Sequence, residues 1–387
     1  MNSKERHEMR FQRRKARREL KRQEKVKEAD DFEAIFTYEH LYESYKKCLK
    51  NVRWKASVQN YSANAPVNVY KAFKELHEGE IKVRKGYEFD LYERGKHRHI
   101  RSVHIRERVV QKCLCDYELV PVLGRTLIYD NGASTKGKGV QFARNRLQAH
   151  LEKHIRKHGS DGYILVFDFK KFFDSIRHDI IQKVMEAAFT DSRIIDLTMR
   201  YVQVTGDIGL GLGSQISQTL CLAVPNRLDH MIKERCGMKF YGRYMDDGYI
   251  ISESKEQLKE CLTAMKEICL QLGLNLNEKK THIRKLRGGF TFLKTKYHVM
   301  PSGKIIKRPA RQNITRMRRK LKRFKKLVDK GEISMRAVYH SYQSWRSHIA
   351  PTRCFRSRRR MDELFKSLFN VEYKEGFACI TKSYKMA

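Results

Sequence analysis

Apolar residues recur along this chain at two different periods, and the change of period marks out its elements. The run Ile164-Leu165-Val166-Phe167 is unbroken and ends in Asp168, the pattern of a strand buried on both faces. Two short apolar runs, Met238 to Tyr241 and Tyr249 to Ile251, flank Tyr244-Met245-Asp246-Asp247 and predict a β-hairpin with two carboxylates at its tip. From Lys255 to Leu272, residues Leu258, Leu262, Met265, Ile268 and Cys269 recur at helical spacing, so an amphipathic helix is predicted, ended by Gly273. Helices are also predicted at Tyr38 to Leu49, Pro66 to His77, Ser217 to Glu234, and Glu107 to Val120, the last stopped by Pro121. Lys82 to Tyr92 and Arg98 to His104 alternate apolar and polar residues, a β-ribbon joined by Arg94-Gly95-Lys96-His97.

Taken together, Asp161 to Val299 reads strand, helix, helix, hairpin, helix, strand, a split βαβ arrangement. Beyond it, Gln312 to Phe369 is helical and basic, with Leu321, Phe324 and Leu327 on one face. Two further helices follow, in which Tyr342 and Trp345 read as bundle core rather than base-stacking platforms.

Charge changes the picture. Lys and Arg total 82 against 44 acidic residues, a formal charge of +38 in 387 residues. A field of that size predicts a polyanionic partner, nucleic acid first, bound with steep salt dependence. No stretch approaches the length of an apolar membrane span and the N-terminus has no signal-peptide core, so a cytoplasmic location is expected. Nine cysteines without a Cys-x-x-Cys predict neither a zinc site nor a disulfide framework, and Cys113 reads as a small core residue. The Arg- and Lys-rich segment 1–31 reads as a basic N-terminal arm, either disordered or a solvent-exposed helix that orders on a partner such as RNA.

The acids carry the chemistry. An Asp-Asp pair alone is most often a solvated turn, and an Asp ending a strand is as often a helix N-cap. Asp168 and Asp246-Asp247 in this order, each at the end of a predicted strand, point instead to divalent metal held against a triphosphate. Asp174 and Ser175 are expected to cap the next helix. Thr135-Lys136-Gly137-Lys138-Gly139 lacks the spacing of a phosphate loop, and Lys136 or Lys138 is a candidate for contact with a nucleic-acid backbone instead.

Five segments in order, DFKKFFDSI (168–176), LGSQISQ (212–218), YMDD (244–247), LNLNEKKT (274–281) and FTFL (290–293), together with RHIRSVHIRERVVQ (98–111), resemble the reverse transcriptases of bacterial retroelements. Leu212 and Gln218 stand where intron and retron enzymes have Gln and Pro, a pattern similar to the reverse transcriptases of diversity-generating retroelements. The resemblance implies an α+β right-hand polymerase fold: fingers at 32–158, a ferredoxin-like palm at 159–300, a helical thumb at 301–369 and a tail at 370–387.

It implies roles as well. Asp168, Asp246 and Asp247 would hold two Mg2+ ions with the carbonyl of Phe169, and Lys280, with Lys279 as its rival, would protonate the leaving pyrophosphate. Arg98, and more weakly Lys96, would meet the incoming nucleotide. Phe173 would exclude a 2′-hydroxyl, with Phe172 and Phe173 unable to point to one side. Gly213 would lie under the nascent base pair beside Leu212 and Gln218. Arg318, Arg319, Lys322 and Arg323 would track phosphates. The expected partners are an RNA template, a DNA or RNA primer, deoxynucleotides and a small basic accessory protein. Two other readings stand beside this one: a phage-defence or intron-related bacterial reverse transcriptase, and a non-catalytic RNA-binding scaffold on the same fold. An intron maturase would carry an extension beyond the thumb, and only a short tail follows Phe369.

Overall fold

The computed structural model describes residues 3–84, 86–93, 96–204 and 206–373. The chain forms two compact units, one of residues 1–147 and 165–282 and the other of 148–164 and 283–387.

In the first unit a two-stranded antiparallel ribbon joins β1 (Tyr87–Glu93) to β2 (Lys96–Ser102), with Phe89 opposite Ile100. The ribbon is shorter than the alternation predicts, and its second strand starts two residues earlier. The catalytic candidates lie on or beside a four-stranded sheet. Its strands are β3 (Tyr163–Asp168), β4 (Phe240–Tyr244), β5 (Asp247–Ser252) and β6 (His282–Lys285), in the order β4-β5-β3-β6 of a ferredoxin-like palm. Ile164, Leu165 and Phe167 of β3 are fully buried, which is why this strand reads as continuous apolar sequence rather than alternation. Lys255–Gln271 forms the predicted amphipathic helix, capped by the Ser254 hydroxyl, and Gly273 ends it at φ +66.

Proline changes two predictions. Pro121 does not stop a helix. The helix Ile105–Leu114 passes through a π-turn, Cys115–Leu119, into Val120–Thr126, with Pro121 in the first turn of that last segment. Ser217 to Glu234 is not one helix. It divides into Gln215–Ala223, Asn226–His230 and a π-turn at Met231–Arg235, because Pro225 cannot donate into the first of them.

Asp174 and Ser175 also depart from expectation. They lie inside a single turn, Phe172–Ser175, and the next helix, His178–Glu186, has Arg177 at its N-cap with no side-chain cap. The N-terminal segment is a helix, Ser3–Ala29, and it docks on its own chain. It packs against Val120–Thr126 and Met231–Arg235, with Arg18 paired to Glu234 and Arg235 3.7 Å from Glu8. Cys113 is buried and its thiol donates to the carbonyl of Ile35 at 3.4 Å, a core role.

The second unit has a three-stranded sheet of β7 (Phe290–Phe292), β8 (Thr295–Val299) and β9 (Ile305–Pro309). Three helices follow: Arg311–Asp329, Met335–Ile349 and Phe355–Phe369. Their core gathers Met317, Leu321, Tyr342, Trp345, Phe365 and Phe369. Tyr342 stacks on Phe365 and donates to Asp362, so Tyr342 and Trp345 are core. Among the described residues no helix is long and apolar enough to cross a membrane.

Candidate active site

Three main-chain contacts build the site. The hairpin β4–β5 closes on the pair Tyr244 and Asp247, and Met245 takes a left-handed φ of +53 to turn the chain in two residues. The amide of Phe169, just past the end of β3, donates to the carbonyl of Asp246 at 3.2 Å. From the other side, the amide of Asn277 donates to the carbonyl of Asp168 at 2.7 Å, and that of Lys170 to Asn275 at 2.8 Å. The segment 274–281 is thereby fixed beside β3.

These contacts bring Asp168, Asp246 and Asp247 together, with one oxygen of each inside a common 4.8 Å. Asp168 is buried, and its carboxylate accepts from the Lys280 ammonium at 2.6 Å and from the side-chain amide of Asn277 at 3.2 Å. Lys280 is about half exposed, so it bridges the buried acid and the solvent. Burial, then the charge of Asp168, raises the pKa of Asp246. Asp247 is pushed up to about 7 by burial and then by its two acidic neighbours. Burial alone would lower the pKa of Lys280; its contact with Asp168 more than offsets that and raises it. Acids that repel one another in a half-buried cluster fit a divalent cation, which would relieve that repulsion with hard oxygen donors.

The expected nucleotide residues divide into three groups. Phe172 is buried and Phe173 half-buried, so the core takes Phe172 and leaves part of the Phe173 side chain accessible. The carbonyl of Phe173 accepts from the amide of Leu210 at 2.8 Å, which places the loop carrying Leu212 and Gly213 beside it. Gly213 has φ +114, and a Cβ there would lie 3.1 Å from the carbonyl oxygen of Arg101, so only glycine fits. Leu212 is half-buried, while Gln218 is exposed and accepts from the Ser134 hydroxyl at 3.3 Å. Lys96 and Arg98 lie on β2, their main chains opposite Glu93 and Leu91, and their side chains fall outside the described residues.

The basic candidates differ from one another. Lys136 is exposed. Lys138 donates to the carbonyl of Tyr129 at 2.7 Å and lies over the rings of Tyr129 and Phe142. Burial lowers its pKa. Arg318, Arg319, Lys322 and Arg323 are all exposed on Arg311–Asp329, opposite buried Met317 and Leu321.

Sequence reasoning missed Asn277, Asp229 and Arg243. Only the last left a signal, a lone charge inside the apolar strand Phe240–Tyr244.

Residues 84–302, more than half of the chain, match the family model described as reverse transcriptase (RNA-dependent DNA polymerase). The chain belongs to the reverse transcriptase family. The palm strand order is that of its right-hand polymerase fold. This reverse transcriptase is 30% identical over 118 residues to a COX1/OXI3 intron 1 protein of Saccharomyces cerevisiae, a match spanning 28% of this chain and 14% of the yeast protein. Among solved structures it is similar to apo telomerase from Candida tropicalis, truncated from its C-terminal domain. That likeness has a TM-score of 0.43 at 13% identity, over 57% of this chain and 54% of that one. A second likeness is to telomerase from Candida albicans in complex with a fragment of telomeric RNA. It has a TM-score of 0.46 at 10% identity, over 79% of this chain and 65% of that one. The chain thus spans a small part of its yeast relative and less than two thirds of each telomerase chain.

Proposed function

We propose that this reverse transcriptase is an RNA-directed DNA polymerase that extends a primer on a structured RNA template. One observation carries the reading. In a chain matched to that family, Asp168 from one strand and Asp246 and Asp247 from another meet within 4.8 Å. Asp168, Asp246 and Asp247, with the carbonyl of Phe169, would hold two Mg2+ ions. Such ions, when bound, supply positive charge that makes a primer 3′-hydroxyl nucleophilic and steadies departing pyrophosphate.

The protein's own groups do the rest. The Lys280 ammonium, held at 2.6 Å from Asp168, would pass a proton to the leaving oxygen. The ring of Phe173 would fill the space a 2′-hydroxyl needs. Gly213 lets main chain approach the nascent base pair without a side chain. The exposed cations of Arg311–Asp329 would meet backbone phosphates of an A-form duplex. The described cysteines are free and mostly buried, which supports a reducing compartment such as the cytoplasm.

Leu212 and Gln218 favour a narrower assignment, a diversity-generating retroelement enzyme with error-prone synthesis and a small basic accessory partner. Leu212 is apolar and half-buried, and it cannot hydrogen-bond sugar or phosphate as glutamine does.

Primer extension on an RNA template with Mg2+ tests the polymerase reading. Wild-type protein should extend, and Asp246→Asn should lose extension entirely while keeping RNA affinity within about twofold. Full extension by the clean variant would remove the site assignment.

A further inference from the structure

Beneath the hairpin that carries Asp246 and Asp247 lies an ion pair whose side chains are wholly buried, Arg243 with Asp229. The Arg243 Nε–H donates to Asp229 Oδ1 at 2.8 Å and Oδ2 at 3.1 Å, and Nη2 donates to Oδ2 at 2.6 Å. The same Nη2 reaches the carbonyl of Leu222 at 3.1 Å, on the helix Gln215–Ala223 behind Gly213. Nη1 donates to the carbonyl of Met245 at 3.0 Å. Tyr241 completes the cluster by donating to Asp229 Oδ1. The main chain of Arg243 is engaged as well: its amide donates to Asp130 and its carbonyl accepts from Gly132, in the loop that leads to Lys136.

A buried ion pair adds little net stability, because desolvation consumes most of the attraction; an apolar pair of equal volume often does as well. What it does supply is geometry. The guanidinium is a rigid fork with donors in three directions, and here each direction ends on a different part of the site. One of those parts is the carbonyl of Met245, the residue at φ +53 that turns the chain into Asp246.

We propose that Arg243, seated by Asp229, is a positioning residue that fixes the pose of the Met245 turn and thereby the placement of the Asp246 and Asp247 carboxylates. Arg243 touches neither substrate nor metal and acts through Met245. The inference rests on the polymerase reading given above. An ammonium cannot replace the fork, since its donors share one atom.

The test compares Arg243→Lys and Asp229→Asn with Met185→Ala, a control that opens the packing around a fully buried methionine on His178–Glu186. Single-nucleotide incorporation is measured against deoxynucleotide and Mg2+ concentration, below each variant's melting point. RNA affinity, and Mn2+ binding by water-proton relaxation, are measured separately. Arg243→Lys should lower kcat about 100-fold, as misplacement of a reacting group by about an ångström does. KM and RNA affinity should stay within about twofold and Mn2+ binding should weaken, whereas Met185→Ala should lose thermal stability alone. Wild-type kcat and Mn2+ binding in Arg243→Lys, or changes that merely track those of Met185→Ala, would overturn the proposal. Should Arg243→Lys not fold, Tyr241→Phe removes one hydrogen bond and leaves both charges; unchanged Mn2+ binding there also counts against it. An inactive wild type would sink the polymerase reading, while the Mn2+ comparison would still decide the role of Arg243.

Discussion

Lys280 donates to the carboxylate of Asp168 at 2.6 Å, so a cationic side chain is tied directly to the acid that ends β3. Its ammonium is about half exposed, and its pKa is raised once the contact outweighs burial. A lysine so placed stays protonated at neutral pH, the state that the proposed role of proton donor requires.

Replacing Lys280 with Ala should therefore slow single-nucleotide incorporation by roughly 100-fold, within the usual range for loss of a general acid. Lys280→Arg should recover only part of that rate, because a guanidinium does not release its proton. Rapid-quench measurement of the incorporation step checks this. An unchanged rate in Lys280→Ala would assign the lysine to structure alone.

Phe173 is half-buried while Phe172 fills the core, so the Phe173 ring can be trimmed with Phe172 left in place. Phe173→Ala should admit ribonucleotides, lowering discrimination by roughly tenfold or more. The measurement is kcat/KM for matched deoxy- and ribonucleotides. Equal discrimination in wild type and variant would place the sugar check elsewhere.

Leu212 sits in the turn beside Gly213, whose φ of +114 holds the loop in one shape. Leu212→Gln should lower misincorporation, with the sharpest change opposite whichever template base the wild type misreads most. Sequencing of cDNA made from one defined template reads the outcome directly. An identical error spectrum would count against any role of this side chain in fidelity.

Glu118 offers a pH test away from the site. It is fully buried in the π-turn Cys115–Leu119, and neither of its oxygens has a hydrogen-bond partner among the described residues. Burial, followed by the charges of Asp30 and Asp191, pushes its pKa up to about 8. The folded state then binds this proton more tightly than the unfolded state, so stability falls as pH rises from the ordinary carboxyl range to about 8. Glu118→Gln should flatten that decline and stabilise the protein by roughly 2–5 kcal/mol at pH 9, with little effect at pH 4. Urea melts at both pH values test it; equal gains at both would show that charge is not the cause.

Local pattern made the acidic cluster legible because each acid stands where an apolar strand ends, and strand ends are written in consecutive residues. The helix Lys255–Gln271 and the buried face of Arg311–Asp329 were legible for the same reason. What stayed hidden depends on residues far apart in the chain. Nothing near Arg243 reveals that its counterion is Asp229, and nothing near Lys138 reveals that Tyr129 and Phe142 occupy it. Pro121 and Pro225 are alike in sequence but unlike in effect, since one opens a helix and the other separates two. The N-terminal helix reads as a free arm because its apolar residues are few, yet its docking uses Arg18 and Glu234 instead.

The left-handed backbone at position 245 also limits which residues can replace Met245. Valine or isoleucine there would crowd its own carbonyl at φ +53, whereas unbranched chains, asparagine or glycine would not. Mutational drift at the tip of the hairpin is thus channelled toward flexible or small residues, and a lineage that acquires a branched one must reshape the turn or carry its strain.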